Sequence, residues 1–461
     1  MATIINDSLQ QYVDLYDAHH ATIEAGAPAL LNDARPEARK ILEGRQLPDR
    51  RTEGYERTSV AEMFAPDFGL NFERRDMPAD LKSSFKCGVP NLSTLMGVTV
   101  NDIFHPTTGL QTRLPEGAFF GSLSRACREI PKVVERYYGR IAPADNTCVA
   151  FNSMLVQDGV VIYVPRGVKI EKTLQNVNIL SAQIPLMAVR RLLVVVDDDA
   201  SLNLLNCDHT AVDSQDFAIS QVVEIYLGHG ARLDACDMEE ASARTRRLSS
   251  TFVRQSEGSE LSLNGVTLQG GTTRNEFYID IAGEHCTTNL RGMAVGCDHQ
   301  HVDNFSDLHH NSGRSKSRQH FKYVLDDFST GAFEGSIVVA DGAAYTEAYQ
   351  SNRNILASAD ARMHTRPQLI IYNDDVKCSH GATTGQLDAE ALFYMRTRGI
   401  PEHQARVMLM QAFMADVIDA ITIPGLRERL HHLVEMRFMR HDARCAECST
   451  PDTCLNDEAD L

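Results

Sequence analysis

Hydrophobic positions along this chain follow two rhythms, and the switches between them mark out its parts. Near the N-terminus, DSLQQYVDLYDAHHATIE and PEARKILEG read as helices and end at a polar stop, Leu47 to Arg51 (LPDRR). A small helical domain is expected over residues 1–95. From about Asn146 the texture changes to short β-branched runs with turn residues between them: VVIYVP, LLVVV, VVEIYL, STFVRQ and SIVVA. This part also repeats itself. A small residue followed by alternation recurs at Gly167 (GVKIE), Ala200 (ASLNL), Ala231 (ARLDA), Ser259 (SELSL) and Ala359 (ADARM), with the first gaps 33, 31 and 28 residues long. Each is preceded by a strand-like run that ends in a turn. Strand, turn and strand at a near-fixed period suggest the coils of a solenoid, each burying its apolar face on its neighbours. An ordinary sandwich with similar strand spacing is the alternative.

Past Asp388 the helical rhythm returns. Asp388 is placed to cap DAEALFYMRTR, Leu387 and Leu392 can form a hydrophobic staple, and Gly399 sits where a C′ residue belongs. Pro401 then opens a second helix. Its apolar positions Val407, Met410, Met414, Val417 and Ile421 keep a spacing of three and four, with Phe413 beside them. Such a stripe either packs on its own domain or forms a groove for a partner. The expected division is a linker and β-helix core over 96–387, a helical domain over 388–440, and a flexible Cys-containing tail over 441–461.

Composition narrows the function classes. With 43% hydrophobic and 23% charged residues over 461, the chain has the balance of a folded globular protein. Lys and Arg number 45 against 62 Asp and Glu, a net charge of −17 that repels phosphate backbones and anionic lipid. Neither nucleic acid nor membrane is an expected partner. The greasiest run, Leu192 to Val196, is strand-sized, and MATIINDSLQQ lacks the basic and apolar regions of a secretory signal. A cytoplasmic location is expected, where the eleven cysteines would stay reduced.

The densest chemical signal is Asp374 to Asp388, DDVKCSHGATTGQLD. If Lys377 to Gly381 is extended, Cys378 and His380 project from one face, where a thiolate and an imidazole can approach one metal or one cluster iron. His299, His301, His309, His310 and His320 form a second cluster, and Cys207-Asp-His209 and Cys297-Asp-His299 repeat a Cys-x-His pattern. Both are read first as stacked, structurally equivalent polar positions of a solenoid. In the tail, Cys445, Cys448 and Cys454 with His441 could complete a tetrahedral metal site. No phosphate loop, dinucleotide fingerprint, HExxH or GxSxG motif occurs, so the chain itself is not expected to bind nucleotide.

The segment DDVKCSHGATTGQLDAEALFYMRTRGI, with VDN at 302–304, SRQ at 317–319, AYQSNRNILAS at 348–358 and TRPQLIIY at 365–372, resembles the SufB/SufD family of the SUF iron–sulfur cluster assembly machinery. LPDRRTEGYERT resembles the ending of that family's helical domain, with Tyr55 where Trp is usual. The resemblance covers about residues 40–430, and the Lys-Cys-Ser-His-Gly-Ala-Thr form favours the SufD branch. It implies a right-handed parallel β-helix between two helical domains. It also implies a non-catalytic scaffold of a SufBCD complex that pairs with a SufB paralogue through the β-helix and holds a SufC ATPase on its C-terminal helices. By carry-over His380 serves that interface, where a nascent iron–sulfur cluster forms, with Cys378 beside it. The stripe Val407, Met410, Phe413, Met414, Val417 and Ile421 becomes the candidate SufC dock. Iron and sulfur donors would act indirectly. A stand-alone or homodimeric adaptor for SufC is the alternative, and a carbohydrate-active β-helix enzyme is a remote one. Cluster type, recipient proteins, iron source, stoichiometry and any role of a flavin stay open at this level.

Overall fold

A computed structural model describes residues 8–77, 94–423 and 425–442. Its centre is a parallel β-solenoid of two facing sheets. One has ten strands and the other nine, numbered in chain order from the first to the nineteenth. From the fourth strand, Val160–Val164, onward successive strands alternate between the two walls as the chain winds. The first strand, β1, is Leu95–Val100, and the last two are β18, Arg362–Ile371, and β19, Lys377–Gly385.

The winding depends on one corner. At Gly167, Asp199, Gly230, Gly258, His285, Arg314 and Tyr345 the backbone is left-handed, with φ between 56° and 72°. Glycine takes this conformation at no steric cost, and at Gly230 and Gly258 it does so here. Each of these residues is followed by one that faces the interior, and six of those are small and fully buried: Ala200, Ala231, Ser259, Cys286, Ser315 and Thr346. The N–H of Gly230 donates to the Glu257 carbonyl at 2.9 Å and that of Gly258 to Glu284 at 2.8 Å, so the corner is hydrogen-bonded from coil to coil. Ala359, grouped with these positions by its local pattern, lies elsewhere. It precedes β18 at the opposite corner, because YQSNRNIL belongs to the ten-stranded wall.

Two helical layers cover the walls and explain why the central strands read as unbroken apolar runs. Strand β6 (Leu186–Val196) is buried at every position. Its Leu192, Val194 and Val196 fill the solenoid, while Met187, Val189, Leu193 and Val195 pack under the N-terminal helices. That layer comprises α1 (Ser8–Ala25), α2 (Ala29–Ile41), α3 (Val60–Met63), α4 (Leu123–Glu129), α5 (Pro131–Tyr137) and α6 (Thr147–Leu155). It thus extends well past residue 95. Asn146 caps α6 instead of beginning the β-rich part, its side chain accepting from the N–H groups of Cys148 and Val149. The buried Arg35 guanidinium ties α2 to the end of α6 by donating to the carbonyls of Met154 (2.7 Å) and Val156 (2.6 Å).

On the ten-stranded wall the cover is C-terminal: α7 (Ala389–Thr397), α8 (Glu402–Asp419) and α9 (Leu426–Asp442). Asp388 caps α7 by accepting from the N–H groups of Glu390 and Ala391, and Gly399 ends it at φ 88°. Among the described residues no helix is long and apolar enough to cross a membrane.

Candidate functional site

Among the described residues the solenoid stops without a cap. β19 pairs in parallel with β17 (Glu347–Leu356) on one side only, and β18 pairs only with β16 (Thr330–Val339). Both last strands keep one row of backbone donors and acceptors unpaired within their sheets. On β19 Cys378 aligns with Ala348 and His380 with Gln350, two residues whose side chains are buried in the coil before. Alternation puts Cys378 and His380 on that same inward face, but among the described residues no further coil follows to cover them. Cys378 is half-buried against the apolar interior and His380 is exposed. Burial pushes the Cys378 thiol above its ordinary pKa, so in the isolated chain the sulfur stays protonated at neutral pH. Behind them Gln350 Nε2 donates to Gln319 Oε1 at 3.0 Å.

The other lip is greasy. Ile370, Ile371 and Tyr372 are 38%, 42% and 65% exposed at the end of β18. Nearer its start, Arg366 bonds Glu334 at 2.8 Å and reaches Glu56 of the N-terminal layer at 3.5 Å. An uncapped end with apolar and ligand-bearing side chains on neighbouring edges suits strand-to-strand association with another chain.

The remaining candidates are dispersed. His299 stacks on Phe328 with centroids 5.2 Å apart, and His301 is wedged between the hydroxyls of Thr58 (2.8 Å) and Thr330 (2.6 Å). His309 meets Asp307 at 3.0 Å and His320 meets Asp416 at 3.3 Å. His310 is buried against the Ser317 hydroxyl at 2.8 Å, and burial lowers its pKa to about 4, which keeps it neutral. Among the described residues no three His, Cys, Asp or Glu side chains gather closely enough to hold a metal ion. The two Cys-x-His copies are not equivalent positions either. In the register of the ten-stranded wall Cys207 aligns through Met238 and Val266 with Met293, not with Cys297. Cys445, Cys448 and Cys454 lie outside the described residues.

The stripe on α8 needs correction. Val407, Met410, Met414, Val417 and Ile421 are all 3% exposed or less, packed between α9 and the outer face of the ten-stranded wall. Phe413 is partly buried there, with Lys322 Nζ 4.4 Å from its ring centre and donating to its carbonyl at 2.5 Å. These side chains are core. The exposed large apolar groups of the C-terminal layer are instead Phe393 and Tyr394 on α7, Met408 on α8 and Met439 on α9, at 68%, 59%, 48% and 45%. A spacing of three and four identifies the buried face of a helix, but not what buries it.

Comparison with known proteins agrees with this arrangement. A model described as the SUF system FeS cluster assembly, SufBD core domain, matches residues 178–413, and one for the SufBD protein N-terminal region matches residues 6–176. The chain is 26% identical over 453 residues to an iron–sulfur cluster assembly SufBD family protein of Synechocystis, covering 95% of this chain and 99% of that protein. With the iron–sulfur cluster assembly protein SufD of Escherichia coli it shares 37% identity over 163 residues, 35% of this chain and 38% of the other. With SufD of Bacillus subtilis it shares 24% over 326 residues, 70% and 74% of the two chains.

Proposed function

Because this chain belongs to the SufB/SufD family of the SUF system for iron–sulfur cluster assembly, we propose that it is a SufD-type, non-catalytic scaffold subunit. In this reading it pairs with a SufB paralogue at the open end of its β-helix and carries a SufC ATPase on its C-terminal helices. The observation that supports this most is the uncapped last coil. There, edge strands β18 and β19 offer unpaired backbone, the apolar Ile370, Ile371 and Tyr372, and the pair Cys378 and His380 on one face. Main-chain pairing along such an edge supplies affinity, and the side chains on alternate positions supply the specificity.

The nascent cluster is cargo in this scheme. Closure of two SufC subunits on ATP would twist the SufB–SufD-type pair and open the seam, giving iron, and sulfur delivered through SufB, access to His380 and Cys378. Anaerobic affinity purification of the tagged full chain from its host, with mass spectrometry of what co-elutes, tests the assembly. A stoichiometric complex with a SufB paralogue and a SufC-type ATPase is the expected result. Elution alone or as a homodimer would overturn it and favour the adaptor reading, since an unpaired edge can also pair with a second copy of itself.

With the α8 stripe buried, the SufC dock moves to the exposed face of α7. Replacing Phe393 and Tyr394 together by alanine is expected to weaken SufC capture about tenfold or more, as the loss of two aromatic anchors does at an interface. The melting temperature should stay close to that of the parent, because both rings face solvent. Capture at the parental level by the double variant would place the dock elsewhere.

A further inference from the structure

Away from the open end, a cavity of about 660 Å³ lies between α9 and the corner where two middle strands of the nine-stranded wall, Thr245–Gln255 and Thr272–Ile281, begin. In a chain of net charge −17 its lining runs the other way: Arg244, Arg246 and Arg437 against the carboxylates of Asp216 and Asp298. Asp216 is engaged by Arg244 Nε at 2.9 Å. Cys297 lines the same cavity, 6% exposed, with Arg437 Nη2 donating to its Sγ at 2.7 Å. A guanidinium–sulfur contact of this kind is one that stabilises a thiolate, the nucleophilic form of cysteine. A second observation points to a ligand. Gln300 also lines the cavity, is 5% exposed, and neither its amide nitrogen nor its oxygen has a partner among the described residues. A buried primary amide with both atoms unsatisfied is costly unless something polar meets it.

We propose that Cys297 is a thiol-modification site and that the cavity takes a carboxylate-bearing, low-molecular-weight disulfide. The guanidinium groups attract the carboxylates, the Gln300 amide matches a peptide-like group of the same molecule, and the Cys297 sulfur lies within the same cavity. In the chemical step the Cys297 thiolate attacks one sulfur of the disulfide. A new sulfur–sulfur bond forms as the old one breaks, the second half leaves as a thiolate, and no further oxidant is needed. Forming the mixed disulfide removes the negative charge that Arg437 faces, and with it the contact between α9 and the end of β13 (Thr287–Gly296). The inference stands apart from the scaffold reading, since it requires neither SufB nor SufC.

Oxidised glutathione as the anionic probe and bis(2-hydroxyethyl) disulfide as the neutral one test it on the native full chain, with peptide mapping of the modified cysteines. Cys127 and Cys378 serve as internal standards: both are more exposed than Cys297, and burial raises the pKa of each. With oxidised glutathione Cys297 is expected to react at least about tenfold faster than Cys127, and this advantage should shrink with the neutral probe. Arg437→Gln should slow the reaction at Cys297 and Arg437→Lys should restore part of it. Because Arg437 also helps hold α9, Arg246→Gln, on the opposite lining, provides a second reading of the preference for the anionic probe. A Cys297 that stays unmodified in the native chain, or that reacts equally fast with both probes, would overturn the proposal.

Discussion

In a reconstituted complex, replacing His380 by alanine is expected to abolish cluster formation while leaving the complex assembled. His380 is exposed on the last strand, so truncation removes little packing, and such surface changes usually stay within about 0.5 kcal/mol of the parent. The backbone of β19 that would pair with a partner is untouched, and so is the apolar edge at Ile370 to Tyr372. What disappears is an imidazole, the side chain on this edge whose ring nitrogen can bind iron. Cys378 is differently placed. Burial raises its thiol pKa, so it must shed a proton before it can bind metal, and Cys378→Ala is expected to reduce cluster yield less completely than His380→Ala. Visible absorption with iron and sulfide content of the anaerobic complex reads the cluster, and gel filtration reads the assembly. A parental cluster yield from the His380→Ala complex would remove His380 from the site. Loss of the complex itself would make it an interface residue only.

The difference between these two side chains shows how far the chain's pattern could be read. Alternation correctly puts Cys378 and His380 on one face, because that depends only on an extended backbone. Their unequal exposure depends on where the solenoid stops, a fact carried by no local pattern. The same limit appears at the corner. Ala200, Ala231 and Ser259 stand out because small residues recur, whereas Cys286, Ser315 and Thr346 fill the same position and break the rhythm of type, though not of size or burial. For the α8 stripe the helical spacing was legible and its occupant was not, since the covering surface comes from strands as far as about 320 residues earlier. The cavity at Cys297 was missed altogether. Its defining contact joins residues 140 positions apart in sequence, and Arg437 in its own helix reads as one more surface arginine.

The second large effect lies inside the solenoid. Arg247, on β10 (Thr245–Gln255), is 1% exposed and holds two carboxylates from the opposite wall: Asp208 at 2.8 Å and Asp237 at 2.6 Å. Asp208, fully buried, is shared with Arg190 at 2.7 Å. Burial alone would raise the Asp208 carboxyl, but the two guanidinium groups outweigh it and hold the pKa below the ordinary value. By the same balance the two carboxylates hold the Arg247 pKa up against burial. Arg247→Met keeps much of the volume but leaves the partly buried Asp237 without its guanidinium and the fully buried Asp208 with one partner instead of two. Breaking a buried pair from one side costs about 3–5 kcal/mol, a large share of the roughly 5–15 kcal/mol that stabilises a domain. The exposed pair of Arg396 and Glu402 at 3.1 Å is the control, because Glu402→Gln there should cost no more than about 1 kcal/mol. The depressed Asp208 also fixes the sign of a pH effect. Its stabilisation is present above the unfolded-state carboxylate pKa and is lost as pH falls through the lower folded value, so the parent should lose more stability in acid than Arg247→Met does. Denaturant melts of both variants at neutral and acid pH measure these differences. An Arg247→Met midpoint as close to the parent as that of Glu402→Gln would mean that water or rearranged neighbours satisfy the two carboxylates, and that the charged interior is not what holds the two walls together.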